Sequence, residues 1–196
     1  MALGTPSVHH HASVHSMNVM GLDLSLTSTG VSINGNTGVI STSAKGAERL
    51  SIISLAVLDA IIDNNIQVVA IESYSFGSRN SQAHSIGELG GAVRMRLWER
   101  NIFYIDIPPT CRAKFATGKG NAAKTEVMSA ISAKTGLVFS GKGADDMCDA
   151  WILEEMCRTR IGISDYTWSA TQLSALDKID WGALTSIQTA KENRAL

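Results

Sequence analysis

The amino-acid sequence predicts an α/β fold, a mixed five-stranded sheet with helices on both faces. Before residue 45, three short apolar runs are separated by turn residues, as in consecutive antiparallel strands. Further along, apolar runs alternate with segments of helical periodicity, which is the pattern of β–α–β crossovers between parallel strands. With 196 residues, of which 44% are hydrophobic, the chain can form the core of one such domain and still have terminal tails.

The five predicted strands are short apolar runs bounded by turn residues. They span residues 18–24, 30–34, 38–43, 68–71 and 102–107. The first three follow one another closely and are predicted to pair as antiparallel strands. The fourth is apolar without alternation, which is typical of a strand buried on both faces in a parallel sheet.

Four helices are predicted between and after these strands. They span residues 47–63, 82–100, 122–134 and 145–160. In the first, Ile53, Val57 and Ile61 recur at helical spacing. Gly90 and Gly91 lie inside the second, where each glycine costs about 1 kcal/mol relative to alanine. We therefore expect another element to approach this helix closely.

The two ends of the chain are predicted to lie outside the central domain, which spans residues 18–162. Residues 1–17 are small, polar and His-rich, and are expected to form a disordered leader. Residues 163–196 form a C-terminal extension, expected to pack as short helices on the domain or on a second subunit. No apolar run reaches the length of a membrane span, and no signal peptide is visible. The three cysteines contain no CxxC pair, which favours buried thiols in the reducing cytoplasm.

The charges are segregated along the chain although the formal net charge is only −1. Between residues 79 and 124, eight basic side chains face three acidic ones, so this segment carries about +5. Such a segment suits contact with nucleic-acid phosphates. The alternative is a solvated surface without a partner.

Four carboxylates are the most informative feature of the sequence. Asp23 and Glu72 lie in or directly after predicted strands, and Asp146 and Asp149 are three residues apart on a predicted helix. Ligand sites of α/β sheets gather beyond the carboxyl ends of strands, so we expect the four side chains to meet at one sheet edge. Oxygen ligands in such a cluster suit Mg²⁺ or Mn²⁺, and two such ions can act on both sides of a phosphodiester. The cluster therefore predicts a metal-dependent nuclease.

Each carboxylate also has an ordinary structural interpretation. Asp23 could cap the turn that follows its strand, and Glu72 could be a strand-end charge facing water. Acidic residues in the first turn of a helix suit its dipole. Asp145 complicates the choice further, since it could be the helix N-cap or could replace Asp146 as a ligand.

Three motifs in this order resemble RuvC-type Holliday junction resolvases. They are GLDLSLTSTG at residues 21–30, AIE at 70–72 and DxxDA at 146–150. The resemblance covers about residues 18–160 and implies an RNase H-like fold. It further implies two divalent ions, Mg²⁺ or in their place Mn²⁺, bound by Asp23, Glu72, Asp146 and Asp149. The family also acts as a homodimer that nicks two strands of a four-way junction, and the helix over 82–100 is our expected interface.

Other family features carry over by position. Lys114 and Lys124 match two lysines that family members place near the scissile phosphate, and Lys124 is predicted to be catalytic. Tyr74 or Phe76 resembles the aromatic residue that stacks at the junction centre. The alternatives are phosphate positioning for the lysines and core packing for the rings. The predicted DNA contacts are Tyr74, Phe76, Arg79, Arg112, Lys114 and Lys119.

The expected function is therefore an endonuclease that resolves Holliday junctions in the cytoplasm, with branched DNA as its partner and no membrane. The resemblance suggests a phage-encoded member acting in a bacterial host. The alternatives are a nuclease for flaps, forks or RNA–DNA hybrids, and a catalytically silent DNA-binding module. Actin-like ATPases also open with an Asp-containing strand, but they need two such domains. No P-loop is present, so no nucleotide cofactor is expected.

Overall fold

The computed structural model of the chain describes residues 17–74 and 82–185. The strands, in chain order, are β1 Val19–Asp23, β2 Thr29–Ile33, β3 Asn36–Ile40, β4 Val68–Glu72 and β5 Phe103–Ile107. The helices are α1 Gly46–Asp63, α2 Gln82–Glu99, α3 Pro109–Thr117, α4 Lys124–Thr135, α5 Ala144–Arg160 and the short α6 Ala170–Leu173, followed by a 3₁₀ turn at Leu176–Lys178.

The five strands form one mixed sheet in the order β3-β2-β1-β4-β5. β1 is antiparallel to β2 and parallel to β4, and β5 is parallel to β4. The predicted mixed five-stranded sheet is therefore confirmed. β1 and β4 occupy its centre, so their carboxyl ends lie side by side.

The two faces of the sheet are covered by different helices. Met20 and Leu22 of β1 point into a core shared with α1 and α2. Val19, also in β1, points into the opposite core, which includes α3, α4 and α5. Because side chains alternate between the faces of a strand, Asp23 falls on the same face as Val19. The same alternation places Glu72 on that face with Val68.

Helix α5 packs unusually close to β1 and β2. A Cβ atom added at Gly21 would lie 1.9 Å from the carbonyl oxygen of Ala150, and one added at Gly30 would lie 2.0 Å from that of Asp146. Both glycines leave room for the backbone of α5, which could not otherwise approach the sheet so closely. The glycines of the first motif therefore set the distance between α5 and the strand that carries Asp23.

The C-terminal extension, as far as the structure describes it, packs on the domain. The ring of Trp168 lies 4.3 Å from that of Phe115 in α3, and Gln172 donates a 3.0 Å hydrogen bond to the carbonyl of Ala116. Trp181 and Leu184 are buried in the same core. This part of the extension therefore covers helix α3 and completes one face of the domain.

Helix α3 was not predicted from the sequence. Its buried residues are mostly small and alternate with basic ones, so no apolar periodicity marks it. Two other signals are present: Pro109 is at its first position, and Gly118 follows it in the left-handed conformation with φ 84°. Proline at the start and glycine just past the end are typical helix boundaries.

The two glycines of α2 differ in their surroundings. A Cβ at Gly90 would collide with the hydroxyl of Tyr74, whereas one at Gly91 would meet nothing within 4 Å. The predicted close approach is thus confirmed for Gly90 only. The three cysteines are buried free thiols, as expected. None of the described helices is long and apolar enough to cross a membrane.

We predict that Gly30→Ala lowers the free energy of unfolding by about 2–3 kcal/mol, because the new methyl group would push α5 away from β2. Urea unfolding of the full chain measures this change. Gly38→Ala is the matched control, since Gly38 lies in the neighbouring strand β3 and its added Cβ would meet nothing within 4 Å. Equal stability of the two variants would contradict the close approach.

Candidate active site

The carboxyl ends of β1 and β4 bring the first two carboxylates together. The parallel register places Leu22 opposite Ile71, so Asp23 and Glu72 follow at the same level of the sheet. Both lie on the face that α5 covers, and both are half-buried. This is the edge at which α/β sheets bind ligands.

Helix α5 supplies the other two carboxylates from above the sheet. It begins at Ala144 after Gly143, which adopts φ 79° and turns the chain into the helix. Asp146 and Asp149 are one turn apart and lie over β1 and β2 because Gly21 and Gly30 admit the helix there. Asp149 is only 4% exposed. The four carboxylates predicted from the sequence are therefore brought into one region.

The electrostatics of this region show a concentration of negative charge. Burial raises the pKa of Asp23 well above its usual value, and repulsion from Glu72 and Asp149 raises it further. Burial also raises the pKa of Asp149 to about 6, with Arg112 opposing the shift and Glu72 adding to it. The pKa of Asp146 is raised too, chiefly by burial. A cation at this position would stabilise the ionised carboxylates.

Arg112 provides one positive charge inside the cluster. Its Nε donates a hydrogen bond to Glu72 and one of its terminal nitrogens donates to Asp149. The side chain projects from α3 and the residue is only 8% exposed. Arg112 was predicted to contact DNA, and the structure places it among the carboxylates. The sequence signal that could have placed it there is its position, five residues after the end of the predicted strand over 102–107.

Lys124 and Asp145 form an ion pair beside the cluster, with 2.7 Å between Nζ and the carboxylate oxygen. Burial acts to lower the pKa of Lys124, but Asp145 outweighs it and raises the pKa. The hydrogen bond from Lys124 lowers the pKa of Asp145. Asp146, in contrast, is close enough to Asp23 to raise its pKa. This division favours Asp146 as the ligand and Asp145 as the partner of Lys124.

The donor set fits a hard divalent cation in its chemistry. Mg²⁺ binds carboxylate oxygens, and four of them lie in one partly buried region. In the two described segments, 17–74 and 82–185, no three His, Cys, Asp or Glu side chains converge closely enough to hold an ion in their present positions. Two of the four carboxylates, those of Glu72 and Asp149, are instead bonded to Arg112. The predicted ligand set therefore stays a prediction.

The predicted DNA contacts lie in several places. Tyr74 follows β4, and its hydroxyl donates a 3.2 Å hydrogen bond to the carbonyl of Gly87 while Arg94 lies 5.1 Å over its ring. Lys119 is exposed and pairs with Glu126 at 2.9 Å. Lys114 is half-buried on α3. Phe76 and Arg79 lie outside the described residues.

Comparison with known proteins identifies the family. The sequence profile of the family described as crossover junction endodeoxyribonuclease RuvC matches residues 19–153. The chain belongs to the RuvC family. It is 30% identical over 146 residues to a crossover junction endodeoxyribonuclease RuvC of Caldicellulosiruptor saccharolyticus, covering 68% of this chain and 87% of the relative. The predictions of family and of an endonuclease are therefore confirmed.

Solved structures of the RuvC family share the fold of this chain. A Thermus thermophilus RuvC structure has a TM-score of 0.60 at 24% identity, covering 77% of this chain and 100% of that one. T. thermophilus RuvC in complex with a Holliday junction substrate has a TM-score of 0.61 at 23% identity, covering 78% of this chain and 100% of that one. At these identities the likeness confirms the predicted RNase H-like α/β fold.

The raised pKa of Asp149 makes the stability of the metal-free protein depend on pH. The folded chain holds this proton with a pKa of about 6, against about 3.9 in the unfolded chain. Protonation therefore favours folding, and the free energy of unfolding falls as pH rises between these two values. We predict that Asp149→Asn reduces this fall by roughly 1–3 kcal/mol, measured by urea unfolding in EDTA.

The control for this measurement is Glu88→Gln, which removes an exposed carboxylate on α2. It should leave the pH profile of the unfolding free energy as in the unaltered chain. A steeper fall in Asp149→Asn would contradict the raised pKa.

Proposed function

We propose that this RuvC-family endonuclease resolves Holliday junctions by metal-dependent hydrolysis, making paired nicks in two strands. The observation that supports the proposal is that Asp23, Glu72, Asp146 and Asp149 lie in one region near the carboxyl ends of β1 and β4, in a chain of this family. The Thermus thermophilus relative, which shares the fold, has been solved with a Holliday junction substrate.

The four carboxylates would hold two Mg²⁺ ions, with Mn²⁺ as a substitute. Burial raises the pKa of Asp23 most, and the charges of Glu72, Asp149 and Asp146 each raise it further, so this carboxylate interacts with all three others. Asp23 would therefore take part in holding both ions. When bound, such ions supply an activated water at neutral pH and stabilise the leaving 3′-oxygen, giving a ligatable nick with a 5′-phosphate.

Lys124 is the side chain that would meet the phosphate. It is 62% exposed, yet Asp145 fixes the position of its ammonium group beside the carboxylates. A positive charge held there would neutralise charge that develops on the phosphate oxygens during attack. Asp145 thus acts as a positioning residue for Lys124.

We predict that the full-length protein cuts a labelled four-way junction at symmetric positions in Mg²⁺ and fails to cut it in EDTA. A flap, a duplex and an RNA–DNA hybrid of matched length are the parallel substrates. Equal cutting of flaps or hybrids would leave the metal site in place and make junction resolution one activity of a broader nuclease. No metal-dependent cutting of any substrate would leave only the DNA-binding module.

We predict that Asp146→Asn and Asp149→Asn each reduce junction cleavage at least roughly a hundredfold, because each removes a metal ligand. Junction binding should persist, since phosphate contacts supply most of the affinity. Cleavage and gel-shift assays measure the two effects. Asp145→Asn is the matched control: it should keep Mn²⁺ affinity, measured by calorimetry, while Asp146→Asn loses it. The reverse result would assign the ligand to Asp145.

A two-fold junction cut at symmetric points requires a two-fold enzyme, and α2 offers a suitable surface. Gly87, Gly91, Met95 and Trp98 follow one another at helical spacing along one side of this helix. Met95 is 52% and Trp98 78% exposed, and the space beside both glycines is open. Small residues flanked by large exposed apolar ones suit close packing against the same helix of a second copy. We propose this stripe as the homodimer interface.

We predict that the double variant Met95→Glu, Trp98→Glu is a folded monomer, because two charges would be buried at the interface. Sedimentation equilibrium of the full chain measures its mass. Val138→Glu is the control, since Val138 is 83% exposed and far along the chain from α2. If the double variant were still a dimer, the interface would not lie on this side of α2.

A further inference from the structure

The proposed mechanism assigns no role to Arg112, although this residue is the most buried cation described in the site. Its guanidinium bonds to Glu72 and Asp149 together, one from the sheet and one from α5. The residue is 8% exposed, and its two partners are also poorly accessible to water. These are two of the carboxylates that the metal would need.

The helix that carries Arg112 is held firmly from behind. Cys111, Phe115 and Ala116 of α3 are buried in the core, and Trp168 and Gln172 of the C-terminal extension contact this helix. The guanidinium therefore has a fixed base, and its contact with both carboxylates is not a feature of a loose surface chain. Even so, arginine has several rotatable bonds, so its head group can move while α3 stays in place.

When its carboxylates are ionised, the cluster needs a positive counter-ion. Four acidic side chains crowd one half-buried region, and the pKa values of three of them are raised. A buried carboxylate without a positive partner is strongly unfavourable. Arg112 meets this need for Glu72 and Asp149 in the metal-free protein. A divalent ion would meet the same need, and the same oxygens cannot serve both partners fully.

We propose that Arg112 is an internal counter-ion that holds Glu72 and Asp149 in the metal-free protein and is exchanged for the divalent metal when it binds. The proposal rests on the metal site of the proposed function and adds a positioning residue to it. Arg112 holds the two carboxylates in place through its hydrogen bonds, and in return it competes with the metal for them. If Arg112 were instead a permanent structural ion-pair partner, its removal would lower the metal affinity, because the ligands would become disordered.

The test is calorimetric titration of the metal-free full-length protein with Mn²⁺, in the absence of DNA. We predict that Arg112→Gln binds Mn²⁺ at least roughly fivefold more tightly than the unaltered chain, because the competitor is gone. The same variant should unfold at a lower urea concentration in EDTA, because Glu72 and Asp149 lose their partner. Arg112→Lys keeps the charge but has a different donor geometry. Its Mn²⁺ affinity should lie between those of Arg112→Gln and the unaltered chain.

Arg94→Gln is the matched control for charge. Arg94 is also an ion-paired arginine, with Asp106 as its partner, but it lies on α2 on the other side of the sheet. Its loss removes one positive charge and one ion pair without touching the cluster. The Mn²⁺ affinity of Arg94→Gln should equal that of the unaltered chain.

A second measurement follows the exchange directly. The Nε–H signal of Arg112 in a ¹H–¹⁵N spectrum, assigned by its absence in Arg112→Lys, should shift when Mg²⁺ is added. This signal can be followed even if Arg112→Gln fails to fold without metal. A signal that stays at its metal-free position at saturating Mg²⁺ would overturn the exchange.

The outcomes separate this inference from the proposed function. Unchanged or weaker Mn²⁺ affinity in Arg112→Gln, with metal-dependent cleavage intact in the unaltered chain, would overturn the role of Arg112 alone. Absence of Mn²⁺ binding in every variant, together with no metal-dependent cleavage, would overturn the metal site and this inference with it.

Discussion

The close contact between α5 and the sheet is the constraint on which the rest of the structure depends. Gly21 and Gly30 let the backbone of the helix touch the strands, and no other residue would leave that space. A second tie fixes the helix further along: Ser32 donates a 2.6 Å hydrogen bond to the buried Glu154, which also accepts from the backbone of Gly35. The helix is thereby fixed to the β2–β3 hairpin, with the backbone of its first turn against Gly30 of β2.

This contact creates an electrostatic problem that the domain has to manage. It brings the acidic first turn of α5 over Asp23 and Glu72, in surroundings that exclude much of the water. Burial, with added repulsion from neighbouring carboxylates, raises the pKa values of Asp23 and Asp149. A site arranged in this way is less stable than a neutral one would be, and it gains affinity for cations in return. Among the described residues, Arg112 and Lys124 are cations that the chain itself supplies to this site.

The C-terminal extension takes part in this arrangement at a distance. It covers the outer side of α3 with Trp168 and Gln172, while the inner side of α3 presents Arg112 to the carboxylates. As far as residue 185, the extension therefore supports the site through one helix and contributes no carboxylate to it. Residues beyond the stretch that resembles the family thus have a physical part in the geometry of the centre.

The sequence by itself determined the sheet, most of its described helices and the sheet edge near which the four carboxylates lie. Local periodicity and turn residues are enough to place the strands. The acidic residues at the ends of β1 and β4 share one edge because the carboxyl ends of neighbouring parallel strands lie at the same edge of a sheet. Helix α3 was not predicted, because its small and basic residues show no apolar periodicity.

Only the tertiary structure decided which charges pair across the site. It joined Arg112 to Glu72 and Asp149, and it paired Lys124 with Asp145, while the charge of Asp146 acts on Asp23. These partners lie on different elements, up to 40 residues apart along the chain. Their pairing depends on how α3, α4 and α5 pack around one sheet edge, and no local pattern of residues encodes that packing.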